Sequence, residues 1–133
     1  MATPQRPLSP FMIGPYYRPQ ITSMMSIAHR ATGVANAFGA LLVAWWLVAL
    51  ASGEAAYAQF ASVAGSVPGR VALFGFGATL VYHLLNGVRH LVWDMGKGFD
   101  IPAVYRSGYL VIGLAIVLTA GLWYVGLSVG GVA

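Results

Sequence analysis

Residues 109–127 read YLVIGLAIVLTAGLWYVGL, an unbroken apolar run with no charge. A helix of that length covers roughly 30 Å, the thickness of a bilayer's hydrocarbon core. The run is continuous rather than alternating, so it does not suit a β-barrel strand. In lipid, such a segment satisfies its own backbone as a helix. Working outward, ALLVAWWLVAL (40–50) lies inside a second charge-free window, 31–53, and a third window covers 71–88. The sequence therefore predicts an all-α integral membrane protein with three spans, at about Thr22–Ala51, Gly69–Asp94 and Ser107–Ser128.

Composition agrees. The chain has 133 residues, of which 59% are hydrophobic and 8% charged. Ordinary soluble domains carry about 25% charge. That balance excludes an autonomous soluble enzyme, and it also excludes intrinsic disorder, which needs low hydrophobicity and high charge. Without cysteine the chain can build no disulfide scaffold, no thiolate metal site and no iron–sulfur cluster of its own. Its net charge of +4 rests on seven scattered bases, too few for a nucleic-acid patch.

The segments between the spans read differently. Residues 1–21 form an N-terminal segment interrupted by Pro4, Pro7, Pro10, Pro15 and Pro19, which precludes a regular helix. EAAYAQFASVAGSVP (54–68) reads as a loop with room for a short interfacial helix, and Pro68 suits a helix start. GKGFDIP (96–102) reads as a turn. Arg6, Arg18, Arg30, Arg89, Lys97 and Arg106 fall on one side of the membrane and Arg70 on the other. The positive-inside rule then places the N-terminus in the cytoplasm and the C-terminus in the periplasm. The corresponding compartments in a mitochondrial inner membrane are the second assignment.

Polar groups inside so apolar a chain are expensive and mark function. Thr22, Ser26 and Arg30, four residues apart, share one face at the start of the first span, with His29 beside it. Such a set can hold a small polar head group, or it can simply anchor the helix at the interface. On the second span His83, Gly87, His90 and Asp94 are separated by four, three and four residues and form one stripe. His83 lies roughly 16 Å inward from Asp94, near the bilayer centre. An imidazole there can ligate haem iron or hydrogen-bond another helix. Gly87 would let a flat macrocycle approach. Arg89 and His90, nearer the cytoplasmic face, suit haem propionates. His83 and His90 cannot both bind one iron axially from a single helix face. His29 is expected at the membrane edge, at the wrong depth, so a second ligand must come from another chain. Asp94 has Arg89 and Lys97 as possible ion-pair partners, or can cap the helix end.

RPLSPFMIGPYYRPQITSMMSIAHRATGV (6–34) resembles the N-terminal signature of the succinate dehydrogenase cytochrome b556 subunit family. YHLLNGVRHLVWDMG (82–96) is similar to that family's second signature, H-x-x-x-G-x-R-H-x-x-x-D. The two motifs occur in order on a three-span chain. One departure is Phe11, where many relatives have His.

The resemblance implies a haem-binding helical bundle completed by a smaller membrane subunit. It makes His83 the axial ligand of haem b and places His29, Arg30 and His90 near the haem propionates. Ser26 and Arg30 would line a ubiquinone pocket, with Asp94 close to it. It also implies an iron–sulfur subunit and a flavoprotein subunit that carry the iron–sulfur clusters and FAD and oxidise succinate. The second haem ligand would come from the smaller anchor subunit. In that role Ser26 could donate to a quinone carbonyl oxygen, and Arg30 would stabilise negative charge developing on the quinone oxygens. Other readings are a haem-free structural anchor, a fumarate reductase anchor running similar chemistry in reverse, and a small transporter subunit. Three histidines cannot supply the four axial ligands of a two-haem cytochrome.

Overall fold

A computed structural model describes residues 19–129. The proline-rich segment before them, the departure at Phe11 and the last four residues lie outside the described residues. Four helices follow in order: α1 (Ile21–Ala51), α2 (Glu54–Gly65), α3 (Val67–Asp94) and α4 (Ile101–Val129). Helices α1, α3 and α4 are each long and apolar enough to cross a membrane. Their outward faces carry exposed large apolar side chains along their whole length, among them Phe38, Leu41, Leu84, Ile116 and Val117. In water such a surface would aggregate, and in lipid it is the solvated face.

The first span matches its expected limits closely. The other two differ. The stretch 54–68, expected as a loop with room for a short helix, is largely the helix α2, and α3 begins at Val67 rather than Gly69. Alanine is the strongest helix former, and this stretch is rich in it. Ser66 separates the two helices. It caps α3 by accepting from the Gly69 backbone N–H at 3.2 Å, with Pro68 in the first turn. Arg70 Nε donates back to the Gly65 carbonyl at 2.8 Å and so ties the corner to α2. Helix α4 starts at Ile101, six residues before the expected span. The charge at Arg106 marks where the apolar run ends, whereas the backbone hydrogen bonds continue through it. GKGFDIP is accordingly a turn only as far as Asp100. The turn opens with a Schellman arrangement: Gly96, at φ 75°, donates to the Trp93 carbonyl and Lys97 to the Val92 carbonyl.

The three long helices run up, down and up. Along the α1–α3 seam, Thr32 meets His83, Asn36 meets Thr79 and Gly39 meets Phe76, so the two helices are antiparallel. Arg89 meets Val104 and Ser107, and Phe74 meets Trp123, which makes α3 and α4 antiparallel as well. Helix α2 packs on α1 through an edge-to-face contact of Phe60 with Trp45, ring centroids 5.0 Å apart. Gly39 is buried under the Phe76 ring, which occupies the space a side chain there would need.

Candidate functional site

The three histidines converge on the α1–α3 seam. The His29 ring stacks on His83, with centroids 3.9 Å apart and planes inclined by 10°. It also stacks on His90 at 5.1 Å and 13°. This corrects the expected depth of His29, which lies at the level of the α3 stripe and not outside it. The reason is the antiparallel pairing. His29 is eight residues into α1, roughly 12 Å from its start, which falls between the depths of His90 and His83 counted back from the end of α3.

Each ring is held differently. His83 Nδ1 is 3.1 Å from the His29 carbonyl oxygen and 3.1 Å from Thr32 Oγ1. Thr32 spends its hydroxyl hydrogen on that same carbonyl, at 2.9 Å. Both neighbours of Nδ1 are therefore acceptors, so Nδ1 carries the hydrogen and Nε2 keeps its lone pair. His90 Nδ1 donates to the Asn86 carbonyl at 2.7 Å, one turn back. His29 Nδ1 is buried without a partner. Gly33 makes room for His83: a Cβ there would meet Cε1 of the ring at 3.2 Å. Gly87 faces His29, whose Cε1 would lie 3.9 Å from an added Cβ.

Tyr82 closes the seam by donating to the Met25 carbonyl of α1 at 3.0 Å. Among the described residues, no group of histidines and carboxylates is arranged to hold a bare metal ion. Stacked rings present faces to one another and do not aim their nitrogens at one point.

A family model described as the succinate dehydrogenase/fumarate reductase transmembrane subunit matches residues 2–122. The chain belongs to this family. It is 43% identical over 119 residues to the succinate dehydrogenase cytochrome b556 subunit of Rickettsia prowazekii, covering 90% of this chain and 91% of that one. The corresponding Rickettsia bellii protein is 39% identical over 119 residues, with the same coverage. The human mitochondrial succinate dehydrogenase cytochrome b560 subunit is 36% identical over 119 residues, covering 88% of this chain and 69% of that protein. The chain is thus a multi-pass membrane subunit of the succinate dehydrogenase/fumarate reductase family.

The residues present fit a haem-type ligand. A histidine whose Nδ1–H is fixed by a backbone carbonyl and a hydroxyl keeps Nε2 as the nitrogen that could bind iron, and such an outer bond is what orients a metal-binding imidazole. His29 cannot be the opposite ligand of the same iron. Two rings stacked 3.9 Å apart leave no space between them for an iron and its macrocycle.

The other sequence candidates fall in two groups. Ser26, half-buried, and Arg30, exposed, lie on the flank of α1 beside His29, with no side-chain hydrogen bond among the described residues. Asp94 is exposed at the end of α3.

Arg89 departs from expectation. It turns away from the histidines and is buried against α4, so it is available neither to a propionate at the stack nor to Asp94. Its Nε donates to Ser107 Oγ at 2.9 Å, Nη2 to the Val104 carbonyl at 2.8 Å and Nη1 to Asn86 Oδ1 at 3.3 Å. Neighbours in sequence point about 100° apart on a helix, so Arg89 and His90 serve different seams. Sequence reasoning missed Thr32, Gly33 and Ser107. The four-residue spacing of Thr32 from Ala28 and Asn36 carried no chemistry by itself, and the pairing of Thr32 with His83 exists only once the helix register is known.

Proposed function

We propose that this chain is the membrane-anchor cytochrome b subunit of a succinate:quinone oxidoreductase in a bacterial cytoplasmic membrane, N-terminus inward. Its haem b would be shared with a smaller membrane subunit. The observation that carries this reading is the committed Nδ1–H of His83, the innermost histidine of the α3 stripe, which leaves its Nε2 lone pair for iron at membrane depth.

When bound, haem b supplies a one-electron store inside the bilayer. This chain's residues do the rest. His29 packs on the face of His83 and fixes its orientation. His90, with Nδ1 already bonded to Asn86, would turn its remaining edge toward a propionate. Arg30, exposed on α1, would pair with a propionate. Ser26 and Arg30 share the face that would hold ubiquinone. The hydroxyl donates to a carbonyl oxygen, and the guanidinium favours the negative charge that develops there as electrons arrive from the iron–sulfur subunit. Asp94, exposed at the same end, is placed to pass protons from the aqueous side. A flavoprotein subunit would oxidise succinate.

The test is purification of the intact complex from membranes with mass spectrometry of its chains and a reduced-minus-oxidised optical spectrum. The expected result is two peripheral chains, a smaller membrane chain and one b-type haem. A complex without haem would make the chain a structural anchor.

A further inference from the structure

We propose that Arg89 is a fixed positive charge, one ring removed from the histidine stack, that raises the readiness of the haem pocket to accept an electron. This rests on the haem reading above. Arg89 is 6% exposed. Its partners are all neutral: the Val104 carbonyl, the Ser107 hydroxyl, the Asn86 amide oxygen, Met25 Sδ at 3.7 Å and the face of Trp93, 4.1 Å from the guanidinium carbon. The chain has three carboxylates, Glu54, Asp94 and Asp100, and none forms an ion pair with it. Neutral dipoles satisfy the N–H groups without cancelling the unit charge, and a guanidinium does not give up its proton.

Contiguous rings are all that lies between that charge and the site. Trp93 meets His90 edge-on at 5.0 Å, His90 stacks on His29 at 5.1 Å, and His29 stacks on His83 at 3.9 Å. Trp93 is itself held by donating from Nε1 to the Gly98 carbonyl at 3.1 Å. In surroundings this apolar, an uncompensated charge acts over such a distance with little screening. Arg89 touches none of the histidines, so it is a positioning and field-setting residue and not a catalytic one.

The test is a potentiometric titration of the haem, followed optically, in the assembled complex. Arg89→Gln removes the charge and Arg89→Lys keeps it. Ser107→Asp neutralises the charge in place, because its carboxylate replaces a hydroxyl already bonded to Nε. At the wild-type midpoint, Arg89→Gln and Ser107→Asp are expected to lower the ratio of reduced to oxidised haem about tenfold. Arg89→Lys should leave it within about twofold. If Arg89→Gln does not assemble, Ser107→Asp reads the charge alone. An unchanged midpoint in Ser107→Asp, or equal shifts in Arg89→Lys and Arg89→Gln, would reduce Arg89 to a clamp between helices and overturn the proposal. A wild-type complex without haem would instead overturn the reading on which it rests.

Discussion

The α1–α3 seam uses one device at both ends and fills it with opposite chemistry. Toward the α1–α2 connection, Gly39 yields its side-chain space to the Phe76 ring, and Asn36 Oδ1 accepts from Thr79. Toward the start of α1, Gly33 yields space to the His83 ring, and Thr32 closes on its Nδ1. The first end shows that these helices pack closely with an apolar ring. Packing alone therefore does not call for an imidazole at the second end. Three histidines there, with a buried unpartnered nitrogen on His29, mark a place built for something beyond the seam itself.

The same substitution at the two ends should give different outcomes. Gly39→Ala drives a methyl group into the Phe76 ring and should cost about 3 kcal/mol of stability, as overpacking does. The thermal midpoint of the complex in detergent should fall, and Phe76→Leu should recover part of it. A single variant as stable as wild type would remove the close approach. Next in size is the flank of the histidine end. Ser26→Ala or Arg30→Leu should slow quinone reduction by one to two decades, since a charge-assisted contact is worth roughly 1.5–3 kcal/mol. Electron transfer from succinate to a soluble dye should continue, and unchanged quinone kinetics would take both residues out of the site. Smallest are Thr32→Val and Gly33→Ala. Each perturbs the His83 ring by about 1 kcal/mol and should shift the haem spectrum or occupancy without lowering thermal stability. A loss of stability with no spectral change would make the two ends alike.

Much of the fold is legible in the sequence because bilayer thickness and charge-free length fix the three spans almost independently of packing. Helix ends are less so. Ile101–Arg106 carries charge and Pro102, yet it is helical, since the rule that ends a membrane span is not the rule that ends a hydrogen-bonded helix. Glu54–Gly65 is too short to span and its inner face, Ala56, Phe60 and Ala64, is mostly alanine, so its helicity rests largely on alanine propensity and the Ser66 corner. The α3 stripe was readable from spacing. The depth of His29 and the direction of Arg89 were not. The first depends on the register of α1 against α3. The second depends on the 100° step that sends Arg89 to α4 while its neighbour His90 faces α1.

The most direct test of the central claim is the optical and electron paramagnetic resonance spectrum of the haem in the assembled complex carrying His83→Leu, beside His90→Leu. With His83 as one axial ligand and the smaller membrane subunit supplying the other, His83→Leu should abolish the low-spin signal or convert it to high spin. His90→Leu should keep the low-spin signal, and this chain expressed alone should bind haem poorly. A low-spin spectrum unchanged by His83→Leu would contradict the account.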